Sequence, residues 1–273
     1  MNISGATELL VLLGDPVSHS LSPLMQNGWI ADHNLDAVYV ALPLKGESPV
    51  AAIRALKAFG LKGANVTVPY KEAAAAAADV REAPVANVLR WERDGTLSAF
   101  NTDGPGFIDA LTEAAPEWRA RVKRVLMVGA GGAAQAIAAT LAPHVDTIHF
   151  VNRTSERADA AALAIPNGRV LRWDDLERGF GAADLIVQAT SLGMSGNPDI
   201  AWPVGVCRAN AIVADIVYRP LETALLSAAR ARGLATLDGL GLLIHQGARA
   251  FQYWFGVDPD PAKARSRLTA ALA

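Results

Sequence analysis

The chain has 273 residues, 51% of them hydrophobic, and its 25 Lys and Arg nearly cancel 27 Asp and Glu to leave a formal net charge of −2. This balance argues against a nucleic-acid partner, because such binders concentrate basic charge on one face or tail, and the apolar content argues against disorder. A single cysteine, Cys207, rules out an internal disulfide and points to a reducing, cytoplasmic setting.

The length suits two α/β domains. The apolar run over residues 9–13 predicts a buried strand. It is too short for a signal-peptide core, and no stretch reaches the ~18 apolar residues of a membrane span. A polar loop over 14–22 follows. Ser22 and Pro23 then predict a helix start, with serine as the cap and proline at the first helical position. Next come a strand over 38–42, a helix over 50–59 ended by Gly60, and a strand over 64–68 stopped by Pro69. Six alanines make residues 71–79 a helix, and this βαβα rhythm implies a mostly parallel sheet covered by helices. Residues 90–99 read as a hairpin turning at Asp94-Gly95, and 107–114 as a helix that carries the chain out of a first domain. A second α/β series starts at Val125, with a strand over 124–128, a helix over 132–141 and a strand over 147–151. Strands over 185–189 and 212–216 and helices over 221–232 and 239–255 complete it.

Gly129-Ala130-Gly131-Gly132-Ala133-Ala134 sits between an apolar strand and an alanine-rich helix. Gly129 permits a tight turn, Gly131 leaves room for a pyrophosphate, and Ala134 lets helix and strand pack closely. The helix start offers unpaired N–H groups to phosphate, so a dinucleotide is expected here. Where an NAD-selective site would end the next strand in Asp or Glu, this chain has Asn152-Arg153-Thr154-Ser155-Glu156-Arg157. Arg153 and Arg157, four residues apart, could both face one 2′-phosphate if a helix begins there, which favours NADP.

Polar residues also gather in the first half. Ser20 and Ser22 follow the first strand, and ligands of open α/β sheets bind beyond such strand ends. Thr67 is placed on a strand and Lys71 just past it, where a lysine can exchange a proton with a substrate. Asp103 offers a carboxylate at a turn that could orient Lys71, and Asn87 is an amide in an apolar stretch. The histidines (19, 33, 144, 149 and 245) show no zinc-ligand spacing with Cys207, so no metal is expected.

Seven motifs, SHSLSP, GANVTVPYK, FNTDG, GAGGAA, NRTSER, QATSLGM and DGLGLLIHQG, occur in this order along nearly the whole chain, which in them resembles the shikimate dehydrogenase family. The resemblance implies an α/β chain of two domains: a mostly parallel substrate domain (1–104 plus 240–273) and a Rossmann-type NADP-binding domain (105–239). It implies reversible reduction of 3-dehydroshikimate to shikimate by a monomer or homodimer. Lys71 would be the acid/base group, with Asp103 as its partner. Ser20 and Ser22 would bind the substrate carboxylate, and Thr67, Asn87, Asp103 and Gln246 its ring hydroxyls, with Tyr218 also meeting it. Gly129, Ala130, Gly131, Gly132 and Ala133 would hold the pyrophosphate, and Asn152, Arg153, Thr154 and Arg157 the adenosine phosphate. Thr190, Ile216 and Gly239 would line the nicotinamide end. The chain departs from the family's A-V-N-T pattern at Val85-Ala86-Asn87-Val88, is shorter between Lys71 and Asn87, and has Ala99-Phe100 before the NTDG segment. All three departures border the substrate positions. Quinate or another hydroxylated cyclohexane acid therefore stands as an alternative substrate, and a non-catalytic NADP-binding regulator as an alternative role.

Overall fold

In the computed structural model, which describes residues 3–272, the first apolar run becomes strand β1 (Glu8–Gly14), with Leu10, Val11, Leu12 and Leu13 all buried. A strand buried on both faces must lie inside a sheet with cover on both sides. Helix α1 (Ser22–Asp32), strand β2 (Ala37–Pro43), helix α2 (Pro49–Ala55) and strand β3 (Gly63–Val66) follow. β2 and β3 flank β1 in parallel register. After α3 (Lys71–Ala77) and the short β4 (Val80–Arg81), β5 (Val88–Trp91) and β6 (Leu97–Phe100) form the expected hairpin. Its turn is tied by Asp94, whose carboxylate accepts Thr96 N–H at 2.9 Å. β5 runs antiparallel to β3, giving the order β2-β1-β3-β5-β6-β4.

Three local expectations are corrected. Leu21 holds the N-cap position of α1 and Ser22 is already helical, so Ser22 does not cap it. The second helix is α-helical only to Ala55 and tightens into a 3-10 turn over Leu56–Phe59, closed by the left-handed Gly60. Thr67 lies just past the end of β3, and its N–H reaches back to Leu13 O at 2.8 Å.

Helix α4 (Asp103–Ala114) leads out of this unit, which comprises the chain up to Gly106 and from Ile244 onward. The second unit, Phe107–Leu243, contains α5 (Trp118–Arg121), β7 (Arg124–Val128), α6 (Gly132–Leu141), β8 (Thr147–Val151), α7 (Ser155–Leu163) and β9 (Gly168–Val170). It continues through α8 (Leu176–Ala182), β10 (Leu185–Gln188), β11 (Ile212–Asp215), α9 (Ala224–Ala231) and β12 (Ala235–Leu237). α9 starts three residues later than expected, because the Thr223 hydroxyl caps it by accepting Leu226 N–H. Read from β9, the strands lie in the order β9-β8-β7-β10-β11-β12, all parallel, which is the doubly wound dinucleotide arrangement. Alternation along β7 divides the core: Val125 and Met127 join one apolar cluster, Leu126 and Val128 the other. The last two helices are α10 (Gly239–Phe255) and α11 (Pro261–Leu272). Among the described residues, no helix is long and apolar enough to cross a membrane.

Candidate active site

In the first unit the candidate residues converge at the carboxyl end of β3 and the hairpin. Lys71 is the first residue of α3, and its ammonium pairs with the Asp103 carboxylate, the two side chains being 14% and 8% exposed. Asp103 opens α4 and does not stand in a free turn. The local Asx contact comes from Asn101, whose Oδ1 accepts Asp103 N–H at 3.0 Å. Asn87 links the cluster. Its amide nitrogen has three acceptors within reach of its two hydrogens, Asp103 Oδ1 (2.9 Å), Thr102 Oγ1 (3.0 Å) and Gln246 Oε1 (3.2 Å), while its Oδ1 accepts Thr102 N–H (2.7 Å). Both oxygens of Asp103 thus carry a donor, one charged and one neutral, which fixes the direction of the carboxylate.

A buried layer supports this group. Tyr39, its phenol held protonated by burial, donates to Asn65 Oδ1 at 2.8 Å, and Asn65 Nδ2 donates to Asn87 O at 3.1 Å. Ser20 and Ser22 lie together at the α1 start, where Ser20 Oγ accepts Ser22 N–H at 3.2 Å, and Ser22 is buried. Thr67 is half-buried beside the tight turn that follows β3.

In the second unit the glycine turn leaves β7 where the strand order reverses. Gly129 has φ +113°, and a Cβ there would lie 2.8 Å from Ala189 O, so this turn admits only glycine. A Cβ on Gly131 would project into open space, and no side chain caps the start of α6. Gly132, Ala133 and Ala134 therefore open a ten-residue helix toward an uncovered position, which is what a pyrophosphate requires. Asn152, Arg153 and Thr154 follow β8. A helix does begin here: α7 starts at Ser155 with Thr154 as N-cap, so Arg153 precedes the helix while Arg157 lies in its first turn. Both are exposed, and no ion pair with a described residue engages either.

Thr190 follows β10, and Ile216 and Tyr218 follow β11, each half-buried. A Cβ on Gly239 would sit 2.4 Å from the carbonyl oxygens of both Ile216 and Val217, so glycine lets α10 begin directly against that loop. Sequence reasoning passed over Gln188 and Asp215, which are buried at the ends of β10 and β11 and hydrogen-bonded at 3.2 Å. Burial pushes the Asp215 carboxyl up to about 6, against hydrogen bonds from Val217, Thr223 and Gln188 that pull it down. The signal was available: both are polar residues closing apolar strands at the end of a parallel sheet where ligands bind.

Three family models match the chain. Shikimate dehydrogenase substrate binding domain covers residues 12–88, shikimate / quinate 5-dehydrogenase covers 112–194, and shikimate 5′-dehydrogenase C-terminal domain covers 239–269. A relative from Rhodospirillum rubrum named shikimate dehydrogenase (NADP(+)) is 42% identical over 269 residues, covering 94% of this chain and 95% of its own. A solved shikimate dehydrogenase in complex with NADP+ superposes with a TM-score of 0.91 at 35% identity, covering 100% of this chain and 98% of that one. A quinate dehydrogenase from Corynebacterium glutamicum in complex with NAD superposes with a TM-score of 0.89 at 31% identity, covering 97% and 99%.

Proposed function

The chain belongs to the shikimate dehydrogenase family, and from that premise we propose that it is an NADP-dependent oxidoreductase interconverting shikimate and 3-dehydroshikimate. The observation that carries this reading is the buried Lys71–Asp103 pair, braced by Asn87 and Gln246. An alcohol oxidation needs one group to take the hydroxyl proton: Lys71 Nζ takes it as the free amine on oxidation, becoming the ammonium, and the ammonium returns it on reduction. Asp103 orients that ammonium. Asn87, Gln246 and Thr67 fix the ring hydroxyls, and Ser20 and Ser22 receive the substrate carboxylate. Tyr218 completes the substrate contacts.

NADP supplies the hydride acceptor when bound. Gly129 to Ala133 hold its pyrophosphate on the α6 N-terminus, and Asn152, Arg153, Thr154 and Arg157 hold the adenosine phosphate. Thr190, Ile216 and Gly239 flank the nicotinamide. Arginine beyond β8, in place of a carboxylate, supports NADP over NAD. Shikimate is favoured over quinate because the relative at 42% identity carries the former name and the neighbour at 31% the latter. The same reading places a monomer or homodimer in the cytosol, consistent with a lone cysteine.

The test is steady-state turnover of the purified chain on shikimate or quinate with NADP or NAD, followed by absorbance of the reduced nicotinamide. The proposal expects the highest kcat/KM with shikimate and NADP. Preference for quinate would assign the alternative substrate, and NADP binding without turnover would assign a regulator.

A further inference from the structure

Gln188 and Asp215 stand opposite each other on the β10–β11 ladder, 0% and 2% exposed. Their polar atoms are fully engaged. Gln188 Oε1 accepts Thr190 N–H, and its amide nitrogen donates to Leu192 O (3.0 Å) and Asp215 Oδ1 (3.2 Å). Asp215 Oδ1 also accepts Val217 N–H (2.9 Å), and Oδ2 accepts the Thr223 hydroxyl (2.8 Å). One buried amide–carboxylate pair thereby pins the backbone of two loops, 190–192 after β10 and 216–218 after β11.

An apolar pair would cover these strand ends at lower cost, because every donor found here for the carboxylate is neutral and its desolvation is uncompensated by a cation. What the carboxylate adds is direction: two acceptor oxygens that fix three donors at once. We propose that Asp215, acting through Gln188, is the positioning residue for the nicotinamide end of the cofactor. The proposal rests on the reading that Thr190, Ile216 and Gly239 meet that end. Gln188 cannot reverse its amide, because Thr190 N–H needs its oxygen. An amide at 215 could keep these contacts, its oxygen accepting from Gln188 and Val217 while its NH2 donates to the Thr223 hydroxyl, whereas leucine, of the same branched shape, removes both acceptors.

The experiment compares equilibrium binding of NADP with that of adenosine 2′,5′-bisphosphate, which lacks the nicotinamide, in the wild type and in Asp215→Leu. NADP affinity is expected to fall about 10-fold, and bisphosphate affinity to change by less than about threefold. kcat on shikimate should fall while its KM changes little. Equal weakening of both ligands, or unchanged NADP affinity, would overturn the proposal and leave Asp215 a stability residue. Gln188→Met removes the same link without altering the carboxylate and should reproduce the split, which decides the matter if Asp215→Leu does not fold. Thr223→Val, which removes a donor only on the α9 side, should lower stability and leave the ratio of the two affinities unchanged. A wild type that binds both ligands yet turns over no shikimate would refute the functional reading, while the affinity ratio would still decide this one.

Discussion

Replacing Lys71 by Met keeps the length of the side chain and deletes its charge, leaving the Asp103 carboxylate 8% exposed with Asn87 Nδ2 as its remaining side-chain donor. Breaking a buried ion pair from one side typically costs about 3–5 kcal/mol, most of it the penalty of an uncompensated charge. The 14% exposure of the ammonium places this pair at the lower end, ~3 kcal/mol. Asp103→Asn strands the ammonium instead and should cost a similar amount. The double variant strands neither charge, so its loss should fall short of the sum of the singles by about 2–3 kcal/mol. Denaturant unfolding of the four proteins, followed at a fixed pH near neutrality, measures this coupling directly. Additivity of the two singles within about 0.5 kcal/mol would refute the claim that Lys71 and Asp103 form one buried unit.

Arg153→Ala should weaken NADP about 10–100-fold, the loss expected for a charge-assisted contact to phosphate, while NAD affinity changes little. Equal effects on the two cofactors, measured by titration, would remove the 2′-phosphate role. Asp215 gives a pH signature. Its carboxyl is raised in the folded protein from 3.8 to about 6, so folding favours its protonated form. The associated stability is complete below the unfolded value and is lost as pH rises through about 6, amounting to about 3 kcal/mol. Unfolding free energies of the wild type relative to Asp215→Asn should therefore decline as pH rises from 3.8 through about 6 and level off above it. A relative stability that rises over that window would contradict the assignment.

The second unit was the more legible half of the sequence, because each of its functions rides on a local pattern. The turn at Gly129 needs a positive φ, and the following helix start needs no long-range partner to bind an anion. Its edge strands β9 and β12, three residues each, were too short to show a period and are defined only by pairing with β8 and β11. Helix α11 escaped for a related reason. Its buried residues are Ala264 and Leu268, too thin a stripe to stand out, and it is anchored instead by Arg267 to Asp32 at 3.2 Å. In the first unit the sequence marked Lys71 and Asp103 as residues that could pair. Their union is a tertiary fact: the β5–β6 register sets Val88 opposite Phe100, which brings Asn87 beside Thr102 and Asp103. Asp215 and Gln188 were readable as polar strand ends, but their shared network appears only once β10 and β11 are paired.

The central claim is that Lys71 moves the substrate proton, and the most direct measurement is shikimate oxidation by Lys71→Ala with NADP. Proton transfer by a placed side chain is worth about 10²–10⁴-fold, so kcat should fall by that factor while KM for shikimate stays within about threefold. A variant that retains kcat within about threefold of the wild type would contradict the account.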